Sequence, residues 1–339
     1  MIYRLAFCPY QKQFKRPLST SHGNWYHREG IIIRLTDEIG NIGWGEIAPI
    51  PWFGSESCEE AVNFCGNLPE EITTEMIFSI PFKLPACQFG FESAWEDLTS
   101  PPTPLLQGEG SKSITPPFPR REGGSGGLGQ FAGLLPTGIA ALEEWENLWQ
   151  QGYRTFKWKI GIASIEEEID IFQQLVDRLP SSAKLRLDAN GGLNWQSANE
   201  WLKICDKFAI EFLEQPLPVN EFDAMLDLSQ HYSTPLALDE SVATITQLQT
   251  YYQQGWQGIF VIKPCIAGSP KLLRQFFQQH QIDAVFSSVF ETTIGRESAL
   301  NLATELSHFS QRNRAMGFGV KHWFIEEETN WLDNLWKTR

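Results

Sequence analysis

Cysteine and histidine signatures of metal or redox sites are missing from this chain of 339 residues. Its six cysteines include no Cys-x-x-Cys pair and no zinc spacing, and its six histidines are scattered. A zinc site or a redox pair of these residues is therefore not expected. We expect reduced structural thiols instead. The cysteines are Cys8, Cys58, Cys65, Cys87, Cys205 and Cys265.

Long apolar runs and positive charge are also scarce. No window approaches a membrane span, and residues 1–10 lack the apolar stretch of a signal peptide. Lys and Arg number 27 against 41 Asp and Glu, which gives a formal net charge of −14. This charge opposes contact with nucleic acid or an anionic membrane surface. We therefore expect a cytoplasmic protein with a small-molecule partner, and the sequence leaves its oligomeric state open.

Composition and periodicity divide the chain into four ranges. Residues 1–99 predict a small α+β unit that includes a strand, turn and returning strand. Residues 100–129 contain 6 Pro and 7 Gly, more than the roughly 25–30% typical of low complexity, and predict a disordered insertion. Residues 130–322 alternate strand and helix patterns, and residues 323–339 are expected to pack back on the first unit.

Charged residues recur at the ends of short apolar runs in the third range. Successive intervals from Asp188 onward are 26, 25, 24 and 24 residues, which is the length of one strand, one helix and two loops. We predict a TIM-type (β/α)7β barrel with an N-terminal α+β capping domain, and an eighth strand at 314–320. Side chains at the strand ends then share one face. They are Lys157, Lys159, Asp188, Glu214, Asp239, Lys263 and Ser287.

Alternation along the strands predicts which side chains face the barrel interior. In residues 155–160 the apolar side chains occupy one face and the two lysines occupy the other. Residues 184–190 repeat the pattern, with Asp188 and Asn190 turned to the barrel mouth. Around Glu214 and Asp239 the alternation is weaker. Two acidic residues, Glu211 and Glu240, fall on the predicted outer face, and the sequence offers no account of Glu211.

The residue types indicate a chemistry before any family is considered. Three carboxylates at one point repel each other unless a hard divalent cation binds them, and Mg²⁺ is the natural candidate, with Mn²⁺ as a substitute. The metal and the neighbouring ammonium should lower the pKa of Lys157 and Lys159, which suits a general base. These features favour metal-assisted enolisation of a carboxylate.

The motif order resembles that of the enolase superfamily, in its muconate-lactonising-like subgroup. The motifs are Lys-x-Lys, Leu-Asp-Ala-Asn, Glu-Gln-Pro, Asp-Glu-Ser and Lys-Pro. Within the superfamily, residues 287–292 and 43–49 are similar to the o-succinylbenzoate synthase family of menaquinone and phylloquinone biosynthesis. That resemblance implies a hydro-lyase that dehydrates 2-succinyl-6-hydroxy-2,4-cyclohexadiene-1-carboxylate to 2-succinylbenzoate.

The resemblance also implies roles for individual residues. Asp188, Glu214 and Asp239 would hold Mg²⁺. Lys159 would remove the proton beside the substrate carboxylate. Lys157 and Lys263 would stabilise the resulting enediolate dianion, Lys263 from the far face. Two capping-domain loops, at 20–23 and 51–55, would act as lids. The expected substrate contacts are Ser287, Ser288, Asn190, Thr20 and Ser21.

Two kinds of alternative remain open. N-acylamino acid racemases, dipeptide epimerases and muconate cycloisomerases use the same scaffold, and 1,1-proton transfer needs the same two opposed lysines. Residues 314–320 lack the acidic pair expected of a dipeptide epimerase. A non-catalytic binding barrel is the other alternative, and the retention of all three carboxylates and all three lysines opposes it.

The insertion gives the first testable prediction. Replacing residues 100–129 with a short Gly/Ser linker should leave the melting temperature and turnover almost unchanged, because the segment has few apolar anchors. Thermal unfolding and steady-state kinetics measure both quantities. A large loss of either would mean that the segment packs on the capping domain or on a partner.

Overall fold

The computed structural model describes residues 1–20, 23–99, 128–319, 324–325, 331 and 334–336. The first domain is a four-stranded antiparallel sheet in the order β3-β2-β1-β4, with three helices and a 3-10 turn at Pro51–Phe53. Its elements are β1 (Ile2–Thr20), β2 (Gly23–Thr36), β3 (Ile42–Ile47), α1 (Cys58–Gly66), β4 (Glu71–Thr73), α2 (Thr74–Phe78) and α3 (Pro85–Thr99).

Two glycines allow α3 to pack directly on β3. A Cβ at Gly43 would lie 2.1 Å from the Ala94 carbonyl oxygen, and a Cβ at Gly45 would lie 2.0 Å from the Gly90 carbonyl oxygen. No side chain fits at such distances, so this close approach requires glycine at both positions. The Gly-Trp-Gly-Glu stretch thereby fixes the helix against the sheet.

The second domain is a parallel barrel. Its seven strands follow each other in chain order across the sheet, from β5 to β11, as expected for repeated strand–helix units. The strands are β5 (Ala132–Leu134), β6 (Thr155–Lys159), β7 (Lys184–Asp188), β8 (Phe212–Glu214), β9 (Leu236–Leu238), β10 (Ile259–Ile262) and β11 (Asp283–Phe286). The helices are α4 (Ala141–Gln151), α5 (Ile165–Arg178), α6 (Trp195–Cys205), α7 (Phe222–His231), α8 (Ile245–Gln253), α9 (Pro264–Ala267), α10 (Pro270–Gln279) and α11 (Thr293–Ser307).

Single bridges close the barrel. Met316 pairs in parallel with Phe131, next to β5, and Gly317 pairs in parallel with Ser287, next to β11. The eighth strand predicted at 314–320 is therefore represented, within the described residues, by one bridge on each side rather than by a ladder. The barrel with an N-terminal capping domain is confirmed.

The barrel interior has an apolar layer above an ionic layer. Phe212, Ala237, Ile259, Val261 and Val285 form a separate buried cluster. At the amino-terminal end of the strands, four charged side chains pair with each other. They are Arg186, Glu211, Asp283 and Arg314.

This ionic layer accounts for Glu211. The residue lies just before β8, and its carboxylate accepts hydrogen bonds from Arg186 Nε at 2.7 Å and Arg314 Nη1 at 3.0 Å. Although burial opposes the charged form, Arg186 holds the pKa of Glu211 below its usual value. Strict alternation placed this side chain on the outer face, and that placement was wrong because the strand begins one residue later.

The capping domain contacts the barrel through helices and through the C-terminal segment. Glu92 of α3 accepts a hydrogen bond from the Lys271 backbone N–H at 3.1 Å, at the start of α10. Phe324 stacks on Phe14 of β1 with ring centroids 5.3 Å apart, and Trp331 meets Tyr10 edge-on at 5.1 Å. These contacts put the described C-terminal residues against the first domain.

The other expectations from the sequence concern the insertion, the domain boundaries, the cysteines and membrane spans. The insertion predicted at 100–129 lies outside the described residues except for Leu128 and Gly129, which begin a 3-10 turn, and the boundaries of the four ranges stay a prediction. All six cysteines are free thiols, as expected. Among the helices of the described ranges, none has the length and apolar character needed to cross a membrane.

The ionic layer gives a stability prediction. Arg314→Met should lower the free energy of unfolding by about 3 kcal/mol or more, because it leaves Asp283 and Glu211 buried with less compensating charge. Lys184→Ala is the matched control: this half-exposed lysine lies 3.7 Å from Glu211, and exposed pairs contribute about 0–1 kcal/mol. Equal losses in both variants, measured by denaturant unfolding at pH 7, would contradict this account.

Candidate active site

The predicted ring of charges forms at the carboxyl ends of the barrel strands. In the strand register Lys159 is opposite Asp188, and Asp188 is opposite Glu214. Asp239 and Lys263 directly follow β9 and β10. The outward neighbours of the lysines on β6 are fully buried among the surrounding helices. Alternation therefore predicted correctly that the lysines face inward.

Lysine side chains lie among the three carboxylates. Lys157 Nζ is 2.7 Å from Asp188 Oδ2 and 2.6 Å from Glu214 Oε1. Lys263 forms an ion pair with Asp239. The carboxylate residues are 5% exposed or less, so little water is available to screen their charges.

The carboxyl groups differ in their electrostatic environment. Burial, and then repulsion from Asp188, raises the pKa of Glu214. Burial also raises the pKa of Asp239, although Lys263 opposes the shift. For Asp188 burial acts in the same direction, but the Lys157 ammonium outweighs it and lowers the pKa. Two of the three carboxyl groups thus have raised pKa values, which a bound cation would lower.

The two lysines of β6 have opposite pKa shifts. Burial lowers the pKa of Lys159, and the neighbouring Lys157 ammonium lowers it further. Burial also opposes the charged form of Lys157, but Asp188 and Glu214 raise its pKa above the usual value. The pKa of Lys159 is lowered, and that of Lys157 is raised because it lies between two carboxylates; the expected effect of a bound metal on both lysines stays a prediction. Lys159 is the better general base of the two.

The buried Gln215 and the half-buried Asn190 support the acidic residues. Gln215 Oε1 accepts hydrogen bonds from the Asp239 N–H at 3.0 Å and the Ser241 N–H at 3.3 Å. The Asn190 N–H donates to Asp188 Oδ1 at 3.0 Å, and its side-chain amide donates to Glu240 Oε1 at 3.0 Å. Glu240, which strict alternation puts on the outer face, therefore has a hydrogen-bond partner at the barrel mouth. The sequence contained Gln215 within the Glu-Gln-Pro motif but gave it no role.

Left-handed backbone conformations mark the same strand ends. Asn190, Gln215 and Phe290 have φ values of 45°, 34° and 61°. Such conformations cost about 1–3 kcal/mol each outside glycine and are maintained by surrounding contacts, often at functional sites. All three residues follow a barrel strand at its carboxyl end.

The predicted substrate contacts are only partly gathered at this face. Ser287 and Ser288 follow β11, and the Ser288 hydroxyl donates to the Glu291 carboxylate at 2.9 Å. The Ser288 backbone N–H donates to the Gly317 carbonyl at 3.2 Å, so both donors of Ser288 have partners within the protein. Thr20 ends β1, and Ser21 lies outside the described residues. Their substrate contacts stay predictions.

Aromatic side chains of the capping domain cover the site. The Phe53 ring lies 4.3 Å from Lys263 Nζ, in the 3-10 turn that the sequence marked as a lid. Trp25 meets Trp52 edge-on at 5.1 Å and Phe290 at 5.9 Å. The sequence does not indicate Phe53 as a site residue, because only tertiary contact puts its ring over the lysine.

A cavity among the described residues lies at the other end of the barrel. It has a volume of about 670 Å³ and is lined by polar and basic residues, including Arg154, Lys184 and Arg314. The Arg314 pairs with Asp283 and Glu211 also lie at this end. Because barrel enzymes react at the carboxyl ends of the strands, we place the reaction at the carboxylate ring.

Comparison with known proteins agrees with this geometry. The family model described as "Enolase C-terminal domain-like" matches residues 140–329, and that of the MenC N-terminal domain matches residues 9–98. The o-succinylbenzoate synthase of Thermosynechococcus vestitus is 40% identical over 93% of this chain and 91% of its own. The chain belongs to the o-succinylbenzoate synthase family of the enolase superfamily.

Solved structures give the same relationship. The o-succinylbenzoate synthase of Thermosynechococcus elongatus BP-1, complexed with Mg in the active site, has a TM-score of 0.83 and 38% identity, covering 99% of this chain and all of the other. The L-Ala-D/L-Glu epimerase of Bacillus subtilis has a TM-score of 0.71 at 21% identity, covering 96% of this chain and 91% of the other. The second similarity shows a shared fold only.

The opposite pKa shifts of the two lysines can be measured directly. In chelator-containing buffer, the Lys159 ammonium should titrate below the ordinary lysine value of about 10.4 and the Lys157 ammonium above it. Nitrogen-15 NMR of the side-chain ammonium groups reports both, with assignments from Lys159→Arg and Lys157→Arg. Titration of both groups on the same side of that value would contradict the ion-pair arrangement.

Proposed function

We propose that this protein catalyses the Mg²⁺-dependent syn dehydration of 2-succinyl-6-hydroxy-2,4-cyclohexadiene-1-carboxylate to 2-succinylbenzoate, in menaquinone or phylloquinone biosynthesis. The observation that carries the proposal is the pair of lysine faces around one buried carboxylate cluster. Lys159 lies beside Asp188 on one side, and Lys263 pairs with Asp239 on the other. Family membership supports this reaction among those that the scaffold can perform.

The acidic residues fit a magnesium ion by their chemistry. Hard divalent cations prefer oxygen ligands, and Asp188, Glu214 and Asp239 supply carboxylate oxygens from three successive strands. Among the described residues, no three acidic, histidine or cysteine side chains already have metal-binding spacing. Lysine ammonium groups instead lie among these carboxylates. Mg²⁺, when bound, would neutralise charge on the substrate carboxylate.

Lys159 is the proposed general base. It would remove the proton from the ring carbon that bears the carboxylate, and its lowered pKa favours the neutral amine that this step requires. The ammonium so formed would then protonate the departing hydroxyl group on the same face of the ring. Water leaves, and the ring becomes aromatic.

The other two lysines have electrostatic roles in this proposal. Lys157 Nζ lies 2.7 Å from Asp188 and 2.6 Å from Glu214, and this lysine would stabilise negative charge rather than accept a proton. Lys263, held between Asp239 and the Phe53 ring, would stabilise the dianion from the opposite face. Hydroxyl or backbone groups of Ser287 and Ser288, with Asn190, Thr20 and Ser21, are the proposed substrate contacts.

N-acylamino acid racemisation is the second candidate. It needs a base on each face of the substrate, and the opposed Lys159 and Lys263 meet that requirement. Dipeptide epimerisation is disfavoured because residues 314–319, which close the barrel between β5 and β11, carry no carboxylate to hold an ammonium group.

Proton exchange separates dehydration from racemisation. Lys159→Ala should abolish both turnover and deuterium uptake at the α-carbon in heavy water, because the base is gone. Lys263→Ala should reduce turnover strongly through lost charge stabilisation and still permit proton removal. The substrates are the cyclohexadiene acid and each enantiomer of an N-succinylamino acid, and NMR measures the exchange.

Controls for this experiment test the metal and the reaction class together. Asp188→Asn, Glu214→Gln, Asp239→Asn and excess chelator should each eliminate aromatic product, since each removes metal affinity. Full activity in chelator would overturn the magnesium assignment. Enantiomer-specific exchange in the two lysine variants, with no aromatic product from the cyclohexadiene acid, would favour a racemase.

A further inference from the structure

We propose that Glu46 of the capping domain is a positioning residue for the substrate turn, which we define as residues 287–292 between β11 and α11. Glu46 lies on β3 and is fully buried. Its carboxylate binds the first residues of α11 in the barrel and thereby fixes where the turn ends. The inference rests on the proposed function, because it assumes that this turn contacts substrate.

Glu46 belongs to the capping domain, yet it replaces both hydrogen bonds of a capping box at the start of α11. In a capping box the N-cap side chain accepts the N–H of the third helical residue, whose own side chain accepts the N-cap N–H. Here the third residue is Gly295, which has no side chain, and the N-cap residue Thr292 makes no side-chain hydrogen bond to its own helix. Glu46 accepts both N–H groups, from Thr292 at 3.0 Å and from Gly295 at 2.9 Å.

The same carboxylate has two further donors. The Thr292 hydroxyl donates to Glu46 Oε2, and the Tyr10 hydroxyl of β1 donates to Oε1 at 2.5 Å. A negative charge at a helix N-terminus is favourable because of the helix dipole and the free N–H groups there. The carboxylate also packs closely against the helix backbone, since a Cβ at Gly295 would lie only 2.8 Å from Glu46 Oε2.

The substrate turn is held by hydrogen bonds within it and at its start, so the position of its end matters. Within it, the Ser288 hydroxyl accepts the Phe290 N–H at 2.9 Å, and Glu291 accepts the Val289 N–H at 2.6 Å. The turn begins at Ser287, whose N–H donates to the Ile262 carbonyl at 2.9 Å. A shift at Thr292 therefore moves the turn as a unit. Glu46 makes the turn position depend on capping-domain docking.

The matched control is Glu56, a second buried carboxylate at a helix N-terminus. It accepts the Ala86 N–H at 3.0 Å and the Cys87 N–H at 2.7 Å, at the start of α3. Donors and acceptor all belong to the capping domain. Glu56→Gln therefore removes the same kind of cap as Glu46→Gln without touching the turn.

Hydrogen exchange and kinetics together test the proposal. In Glu46→Gln, amide exchange in the peptide 288–296 should rise about tenfold or more, the equivalent of one lost charge-assisted hydrogen bond. KM should rise about tenfold while kcat changes less than about twofold, because the lysines and carboxylates lie on other strands. Glu56→Gln should raise exchange at 85–88 and leave both 288–296 and KM near wild type.

Gly295→Ala keeps the test decisive where Glu46→Gln folds poorly. Alanine favours the helix, yet its Cβ would displace the Glu46 carboxylate, so KM should rise although helix propensity improves. Because both variants disturb one contact, the double variant should show a KM shift well below the product of the two single shifts.

Three results would overturn the positioning role. They are unchanged exchange at 288–296 in Glu46→Gln, equal KM shifts in Glu46→Gln and Glu56→Gln, and multiplicative KM shifts in the double variant. The exchange measurement needs no substrate. Failure of the wild type to dehydrate the cyclohexadiene acid would therefore count against the proposed function, while exchange at 288–296 still decides whether Glu46 holds the turn.

Discussion

Burial of three carboxylates at one point is the constraint on which the carboxyl end of the barrel depends. Asp188, Glu214 and Asp239 come from successive strands and are almost excluded from water. Carboxylates in such surroundings need positive charge close by. The protein supplies it from Lys157 and Lys263, whose ammonium groups lie among these carboxylates.

The two ends of the barrel solve the problem of buried charge differently. At the amino-terminal end, Arg314 makes two hydrogen bonds to Asp283 and a third to Glu211. Guanidinium groups stay charged and match carboxylates in shape, so this layer is stable and closed to chemistry. At the carboxyl end the partners are lysines, whose pKa values respond to their surroundings. The two ends thus differ in the residue type that pairs with the buried carboxylates: arginine at the amino-terminal end and lysine at the carboxyl end.

The capping domain takes part in the barrel rather than only covering it. Its acidic side chains accept the first N–H groups of barrel helices: Glu92 at α10 and Glu46 at α11. Helix N-termini in a barrel lie at the same face as the strand ends, so docking of the capping domain and the geometry of the site are linked. The Phe53 ring over Lys263 is a second contact that connects the capping domain with the site.

The sequence by itself determined the barrel and the charged ring, because strand–helix spacing and alternation are local properties. Lys159, Asp188 and Glu214 could be placed on one face from these periods alone. It could not give the opposite pKa shifts of Lys157 and Lys159, the inward turn of Glu211, the aromatic cover of Phe53 or the cap made by Glu46. Each depends on groups from distant parts of the chain, and only the packed tertiary structure brings those groups within a few ångströms.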